Sequence, residues 1–149
     1  MDENQINEKL QKNQKYQGSF ALDELKEINV AEQPTFAIIN LDPREATGSH
    51  WIAIGIYFND IYICDSLGGL LPTENFPTEL LRFLSVLSVS RNIHITKQLQ
   101  PTSSSLCGLY CITFINEMSK SNSFYDFIKL FSTNLYQNDV IVRFINKGM

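Results

Sequence analysis

Apolar runs broken by short polar pairs fill the middle of the chain, a pattern typical of a buried sheet. Residues 52–58 and 61–64 are apolar and are separated only by Asn59 and Asp60, which favours a hairpin. Residues 36–40 and 93–96 have the length and composition of further strands. The sequence therefore predicts a mainly antiparallel sheet.

Helical spacing replaces this pattern in the second half of the chain. Apolar residues that recur every three or four positions predict a central helix over about 106–119. Pro77 opens another predicted helix over 78–89, with four leucines facing inward: Leu80, Leu81, Leu84 and Leu87. Two terminal helices are predicted from the apolar residues Phe124, Phe127, Ile128 and Phe131 in one, and Val140, Ile141, Phe144 and Ile145 in the other. An α+β fold follows, with the sheet packed by the central helix.

The length and composition favour one domain. The chain has 149 residues, of which 44% are hydrophobic, enough to form a core. Residues 1–15 are rich in Asn, Gln, Lys and Glu, which predicts a solvated polar arm or a short surface helix. We expect residues 16–149 to form a single domain and the protein to be a monomer.

Charge and cysteine content limit the partners. Twelve basic and sixteen acidic residues give a net charge of −4, so DNA is an unfavoured partner. No apolar run approaches the roughly 20 residues that cross a bilayer, and residues 1–4 do not resemble a signal peptide. The three cysteines form no Cys-x-x-Cys pair, which predicts no metal site and fits a reducing compartment. We expect a soluble intracellular protein.

The segment from Gln100 to Cys107 carries the strongest chemical signal. Cys107 stands seven positions after Gln100, and the segment leads from a loop into the central helix, so Cys107 is expected in the first helical turn. There the helix dipole favours a thiolate, the form that attacks carbonyl groups. The amide of Gln100 could then help to form an oxyanion site beside this candidate nucleophile.

A cysteine nucleophile needs a base, and His50 is the better placed of two histidines. It lies just before the first strand of the hairpin, and Asp65 follows the second strand. With a loop centred on Asn59 and Asp60, Asp65 lies opposite Ile54, on the same face as His50 but roughly 13 Å away at about 3.3 Å per residue. A bulge or a loop that includes Tyr57 would shorten this distance.

Several of these residues also have structural interpretations. A lone helical cysteine is most often a small buried hydrophobe, and we interpret Cys64 and Cys111 in this way. His94 alternates with Ile93 and Ile95 and is interpreted as a surface residue of a strand. Trp51 is expected in the core, where it can also form one wall of a substrate cleft. Helix capping explains the serines at 103–105 better than a nucleophilic role does.

In combination, these residues resemble the adenovirus protease (adenain) family and the related SUMO-deconjugating cysteine proteases. The chain order of His50-Trp51, Asp65, Gln100 and Cys107-Gly108 is that of the family, and the resemblance covers about residues 16–145. It implies an adenain-like, papain-like fold. Adenain has a glutamate where Asp65 stands, whereas the deconjugating proteases have an aspartate.

The resemblance also implies a role for each residue. Cys107 would be the nucleophile, His50 the base and Asp65 the group that orients the imidazole. Gln100 and the backbone N–H of Cys107 would form the oxyanion hole. The substrate cleft would include Gly48, Ser49, Trp51 and Gly108.

The function implied is that of a cysteine endopeptidase that cuts after Gly-Gly-type sequences. It would process viral capsid or core precursors, in the host nucleus or cytoplasm and in the virion. A deconjugating protease for a ubiquitin-like modifier and a non-catalytic binding module are the alternatives. Adenovirus proteases use a disulfide-linked peptide and DNA as activators. Because residues 67–106 contain no cysteine and the net charge is −4, we expect activity without either cofactor.

Overall fold

A single five-stranded sheet organises the protein. The structure is a computed structural model that describes residues 1–41, 50–68, 76–120 and 123–147. Its strands pair in the order of the sequence: β1 (Tyr16–Phe20), β2 (Thr35–Asn40), β3 (Trp51–Ile56), β4 (Asp60–Cys64) and β5 (Asn92–Ile95). The three central strands pair antiparallel, whereas β1 and β5 at the two edges each pair in parallel with their neighbour.

Helices cover both faces of this sheet. They are α1 (Glu3–Leu10), a 3₁₀ helix (Leu22–Glu27), α2 (Thr78–Leu87), α3 (Cys107–Ser119), α4 (Phe124–Ile128) and α5 (Leu135–Ile145). Helix α3 packs on one face and contacts α1, α4 and α5, whereas α2 and the 3₁₀ helix lie on the other face. The predicted α+β class is therefore confirmed, with a central helix that begins at the candidate nucleophile.

The core is divided by the sheet into two layers. Successive side chains of a strand point to opposite faces, so Trp51 and Ala53 pack with α3 while Ile52 and Ile54 pack with α2. All six residues of β2 and all six of β3 are buried. Burial on both faces explains why these strands have continuous apolar runs in the sequence instead of an alternating pattern.

The register of the hairpin differs from the sequence prediction. Ile54 pairs with Ile63, so Asp65 follows at the level of Ile52 and the predicted pairing with Ile54 is wrong by two residues. The cause is a two-residue loop, residues 58 and 59, closed by a 2.8 Å hydrogen bond from the Tyr57 N–H to the Asp60 carbonyl. A shift of two residues keeps the face of each side chain and brings Asp65 nearer to His50.

The amino-terminal segment is not solvated along its length. Its helix α1 begins with a capping box formed by Asp2 and Gln5, and it buries Ile6 and Leu10 completely or nearly so against α3. Spacing of four residues places these two side chains on one face of the helix. Of the two alternatives, a solvated arm or a short surface helix, the structure has the helix, and its buried apolar face was not predicted.

The exposed apolar residues also correct two helix predictions. Leu81 was expected to face inward but is 39% exposed, and Val140 and Phe144 of α5 are 64% and 76% exposed. None of the helices in the described ranges is both long enough and apolar enough to span a bilayer.

Candidate active site

His50 and Asp65 meet where two neighbouring strands end. His50 lies directly before β3 and Asp65 directly after β4, and the imidazole Nε2 is 2.8 Å from the carboxylate Oδ1. Thr96 fixes the backbone of Asp65, because its hydroxyl accepts from the Asp65 N–H and donates to the Asp65 carbonyl, both at 2.9 Å. The antiparallel pairing of β3 with β4 therefore sets the position of this pair.

Cys107 completes a chain of three polar groups. It is the first residue of α3 and is 7% exposed, and its thiol is near enough to His50 to contribute to the raised pKa of the imidazole. The N–H groups of a first helical turn have no partner within the helix, and the dipole there favours a negative charge.

The imidazole of His50 is held in its charged form. Burial by itself would lower its pKa, but the hydrogen bonds to Asp65 and Cys107 and the charges of these two groups outweigh burial and raise the pKa to about 9. The ring is therefore protonated near neutral pH, beside the carboxylate of Asp65 and the thiol of Cys107.

Gln100 is completely buried and both ends of its amide are hydrogen-bonded. Oε1 accepts from the Ser66 hydroxyl at 2.6 Å, and Nε2 donates to the Ser104 carbonyl at 2.9 Å. The Leu99 and Gln100 N–H groups both donate to the Ser66 carbonyl at 2.9 Å. The loop between β5 and α3 thus holds the glutamine in one orientation.

The predicted cleft residues are only partly described. Trp51 is buried in the core beside α3, and Gly108 follows Cys107 in the helix. A Cβ at Gly108 would lie 3.0 Å from the Met1 sulfur and 3.4 Å from Ile6 Cδ1, so α1 closes over this position. Gly48 and Ser49 lie outside the described residues.

The other two thiols differ from Cys107 in environment. Cys64 and Cys111 are buried, and this burial raises the pKa of each well above its ordinary value. The Cys111 thiol donates to the Trp51 carbonyl at 3.5 Å. Both therefore have the packing role that their positions in the sequence predict.

His94 lies apart from Cys107 and forms a pair of its own. Its Nε2 is 2.9 Å from Asp60 Oδ1, and its ring stacks on Tyr62. The side chain of His94 is 41% exposed. This agrees with the interpretation of His94 as a surface residue of its strand.

Four polar residues that support this site were not singled out from the sequence. Ser66 and Thr96 bind Gln100 and Asp65, and Asn138 of α5 donates to the Leu99 carbonyl at 2.9 Å. Asp139 accepts from Ser104 and from Tyr110. Only Ser66 had a signal in the sequence, since it directly follows Asp65, whereas contacts from α5 join residues some 35 positions apart.

Other parts of the described structure offer no comparable chemistry. A cavity of about 790 Å³ lies between α1 and the far end of α3, and its lining includes Lys9, Lys12 and Lys120. Within residues 1–41, 50–68, 76–120 and 123–147, no three His, Cys, Asp or Glu side chains are grouped so that they could hold a metal ion.

An α+β fold that groups a thiol, an imidazole and a carboxylate, with the imidazole hydrogen-bonded to the carboxylate, is typical of cysteine peptidases. The sequence model of the adenovirus endoprotease family matches residues 27–130. The chain belongs to this family.

Two viral proteins are similar in sequence. The protease of bovine adenovirus 4 is 34% identical over 113 residues, which cover 68% of this chain and 53% of that protein. The protease of ovine adenovirus D serotype 7 is 36% identical over 92 residues, or 53% of this chain and 44% of that protein. The chain thus spans about half the length of the curated relatives it matches.

Solved structures show the same fold at low sequence identity. The central domain of the Lpg1148 protein from Legionella pneumophila has a TM-score of 0.55 and 14% identity, over 95% of this chain and 90% of that one. ChlaDub1 from Chlamydia trachomatis has a TM-score of 0.50 and 19% identity, over 75% of this chain and 58% of that one. These likenesses concern the fold alone.

Proposed function

We propose that this protein is a cysteine endopeptidase with Cys107 as its nucleophile. The observation that carries the proposal is the contact of His50 with two partners, Asp65 at 2.8 Å and the thiol of Cys107. The family match from residue 27 to residue 130 includes all of these residues.

In the proposed reaction, Nε2 of His50 faces Asp65 and Nδ1 already carries the proton that comes from the Cys107 thiol, so the thiolate is ready to attack. The thiolate attacks the substrate carbonyl carbon, a C–S bond forms, and the C=O electron pair moves to the oxygen. When the tetrahedral intermediate collapses, the C–N bond breaks and His50 gives its proton to the leaving amine. Water, deprotonated by the same imidazole, then hydrolyses the thioester and restores the thiol.

Gln100 and the backbone N–H of Cys107 are proposed to stabilise the oxyanion. An amide nitrogen carries two N–H bonds, and the hydrogen bond to the Ser104 carbonyl uses one of them. The second is available to donate to the substrate oxygen. Since Gln100 is fully buried, such a donor needs little reorganisation as charge develops in the transition state.

For the substrate, we propose viral structural precursors cut after Gly-Gly or Gly-x-Gly sequences. The adenovirus proteases that this chain resembles favour glycine on the acyl side of the cut, and Trp51 lies in the same buried cluster as Cys107. A ubiquitin-like modifier is the second candidate substrate, because Asp65 is the acid that the deconjugating relatives use.

The experiment compares thiol reactivity with cleavage. Native protein is alkylated with iodoacetamide near neutral pH and the modified positions are mapped. We expect Cys107 to react far faster than Cys64 or Cys111, whose thiols are buried with raised pKa values. Cys107→Ala should abolish cleavage and keep the fold, whereas Cys64→Ala should leave cleavage intact. Equal labelling of the three thiols would contradict the assignment.

Substrate choice is tested with three substrates. The first is a capsid precursor with Gly-Gly sites, the second is the same precursor with a bulky residue before the scissile bond, and the third is a panel of ubiquitin-like precursors. Cleavage of the first alone supports the proposed substrate class. Preference for the ubiquitin-like panel would favour deconjugation, and efficient cutting after the bulky residue would exclude the glycine requirement.

A further inference from the structure

Two adjacent residues contact the two different parts of the proposed catalytic machinery. The carboxylate of Asp65 binds the imidazole of His50, and the hydroxyl of Ser66 donates to the amide oxygen of Gln100 at 2.6 Å. Ser66 is 1% exposed and Gln100 is completely buried. This short hydrogen bond therefore lies away from solvent, where water cannot substitute for it.

The orientation of the Gln100 amide depends on both of its hydrogen bonds, to Ser66 and to Ser104. The two ends of a glutamine amide are nearly the same shape, so hydrogen-bond partners decide which end points where. The Ser104 carbonyl can only accept, which fixes the nitrogen at its end. The Ser66 hydroxyl supplies the donor that the oxygen requires, and together the two contacts set the direction of the second N–H.

We propose that Ser66 is a positioning residue for the oxyanion donor Gln100, so that the dipeptide Asp65-Ser66 orients the base and the oxyanion donor together. This inference rests on the proposed peptidase function. Ser66 does not touch the reacting atoms, and it acts on the reaction through the glutamine alone.

The backbone of Ser66 makes a clean test possible. Its carbonyl accepts the N–H groups of Leu99 and Gln100 at 2.9 Å, and these bonds do not depend on the side chain. Ser66→Ala therefore keeps the main chain of the oxyanion segment attached and removes only the donor to Oε1. The buried amide oxygen then has lost its partner, and the amide can rotate away from the productive direction.

The experiment measures kcat and KM for a Gly-Gly peptide in a double-mutant cycle. Loss of a whole oxyanion donor costs about 100- to 1,000-fold in kcat, and misplacement of that donor is expected to cost about tenfold or more. We expect Ser66→Ala to lower kcat by this amount with KM changed less than about twofold. In the Gln100→Ala background the same substitution should change kcat less than about twofold, because the residue through which Ser66 acts is gone.

Alkylation of Cys107 by iodoacetamide is the second readout. This reaction displaces iodide from carbon and forms no oxyanion, so it depends on the thiolate and its imidazole but not on Gln100. In the Ser66→Ala variant, iodoacetamide should alkylate Cys107 at the wild-type rate. A merely structural role for Ser66 would slow alkylation and cleavage together.

Thr113→Val is the matched control. It also deletes a buried hydroxyl. Thr113 lies in the middle of α3, is 1% exposed and accepts a 2.9 Å hydrogen bond from Asn146 at the end of α5. This variant should lose stability and keep kcat. If Ser66→Ala does not fold, Ser66→Cys keeps a similar volume with a weaker donor and should show the same loss of kcat.

The outcomes separate this inference from the proposed function. An active wild type with an unchanged Ser66→Ala variant would overturn the positioning role alone. Equal losses of kcat with and without Gln100, or an equal loss from Thr113→Val, would also overturn it. A wild-type protein that cleaves no peptide would overturn both the function and the inference.

Discussion

At the scale of single residues, the ionisation of His50 depends on the carboxylate beside it. Its pKa is raised to about 9 because the hydrogen bonds and charges of Asp65 and Cys107 outweigh the effect of burial. A group whose pKa is raised on folding stabilises the folded state below its ordinary pKa, about 6.5. This stabilisation is lost as the pH rises through about 9. The imidazolium of His50 should be lost over the same pH window.

We therefore expect kcat/KM to decline above about pH 9 in the wild type. Asp65→Asn removes the negative charge, so the alkaline limb should move to lower pH, and kcat should fall by roughly 100-fold, the lower end of the range for general acid–base groups. The measurement is a pH profile of kcat/KM, whose limb reports on the coupled pair as a whole.

The control is Asp60→Asn, which breaks the second His–Asp pair of the protein, that of Asp60 and His94. It should leave the profile unchanged. An alkaline limb that stays in place in Asp65→Asn, or that moves equally in Asp60→Asn, would contradict the assignment of Asp65.

The order of residues in the sequence identified four candidates for the site, but it did not predict their contacts. The candidates are His50, Asp65, Gln100 and Cys107. The residue types and their spacing predicted which groups could act together. The hydrogen bonds to Ser66 and Thr96 could not be predicted, because a buried hydroxyl has the same sequence signature as an exposed one. Whether each residue has its proposed role stays a prediction.

At the scale of elements, α5 supports the site from outside. Asn138 is completely buried, its Nδ2 donates to the Leu99 and Ser132 carbonyls at 2.9 Å, and its Oδ1 accepts from the Ser132 N–H at 2.7 Å. Leu99 directly precedes Gln100. The helix thus fixes the segment that carries the proposed oxyanion donor.

Asn138→Ala should destabilise the protein by about 2–3 kcal/mol, since it leaves buried backbone groups unpaired. Asn134→Ala is the comparison in the same helix. It removes the exposed N-cap bond to the Tyr136 N–H, for which about 1 kcal/mol is expected. Denaturant unfolding of both variants measures the difference. An Asn138→Ala variant as stable as Asn134→Ala would show that the buried bonds contribute little.

Most helices and strands could be predicted from the sequence, and the errors in the predicted positions have local causes. The central helix follows the apolar spacing closely, and its first residue is Cys107 as expected. The hairpin turn was misplaced because Asn59 and Asp60 have strong turn propensities. Asp60 instead belongs to β4, where its side chain pairs with His94 and tertiary contact overrides local preference.

At the scale of the whole molecule, charge is expected to govern the response to nucleic acid. The sequence carries a net charge of −4. Each phosphate that a protein neutralises steepens the salt dependence of binding by about one unit. Without a surplus of Lys and Arg, we expect DNA to leave turnover unchanged.

The measurement adds duplex DNA to a peptide cleavage assay at low salt and repeats it as salt is raised. A chloride titration without DNA is the control for salt itself. Stimulation of more than about tenfold that disappears with salt would show a local basic surface that binds phosphates.

The fold class could be predicted from the sequence, but the pairing direction of the edge strands and the placement of α1 could not. Continuous apolar runs followed by residues at helical spacing indicated the α+β class. They carried no information on the parallel pairing of the edge strands, because pairing direction depends on connections that cross the sheet. The placement of α1 was missed for a related reason. Two apolar residues, Ile6 and Leu10, are too few to show an amphipathic helix in a polar stretch, but they suffice once α3 covers them.

Helix α3 has two roles, since its first residue is the proposed nucleophile and most of its other residues up to Met118 are buried in the core. An α-helix turns by about 100° per residue. Insertion or deletion of a single residue inside α3 would therefore rotate Cys107 away from His50 or turn the apolar face out of the core. In this part of the chain the number of residues is as strictly constrained as their identity.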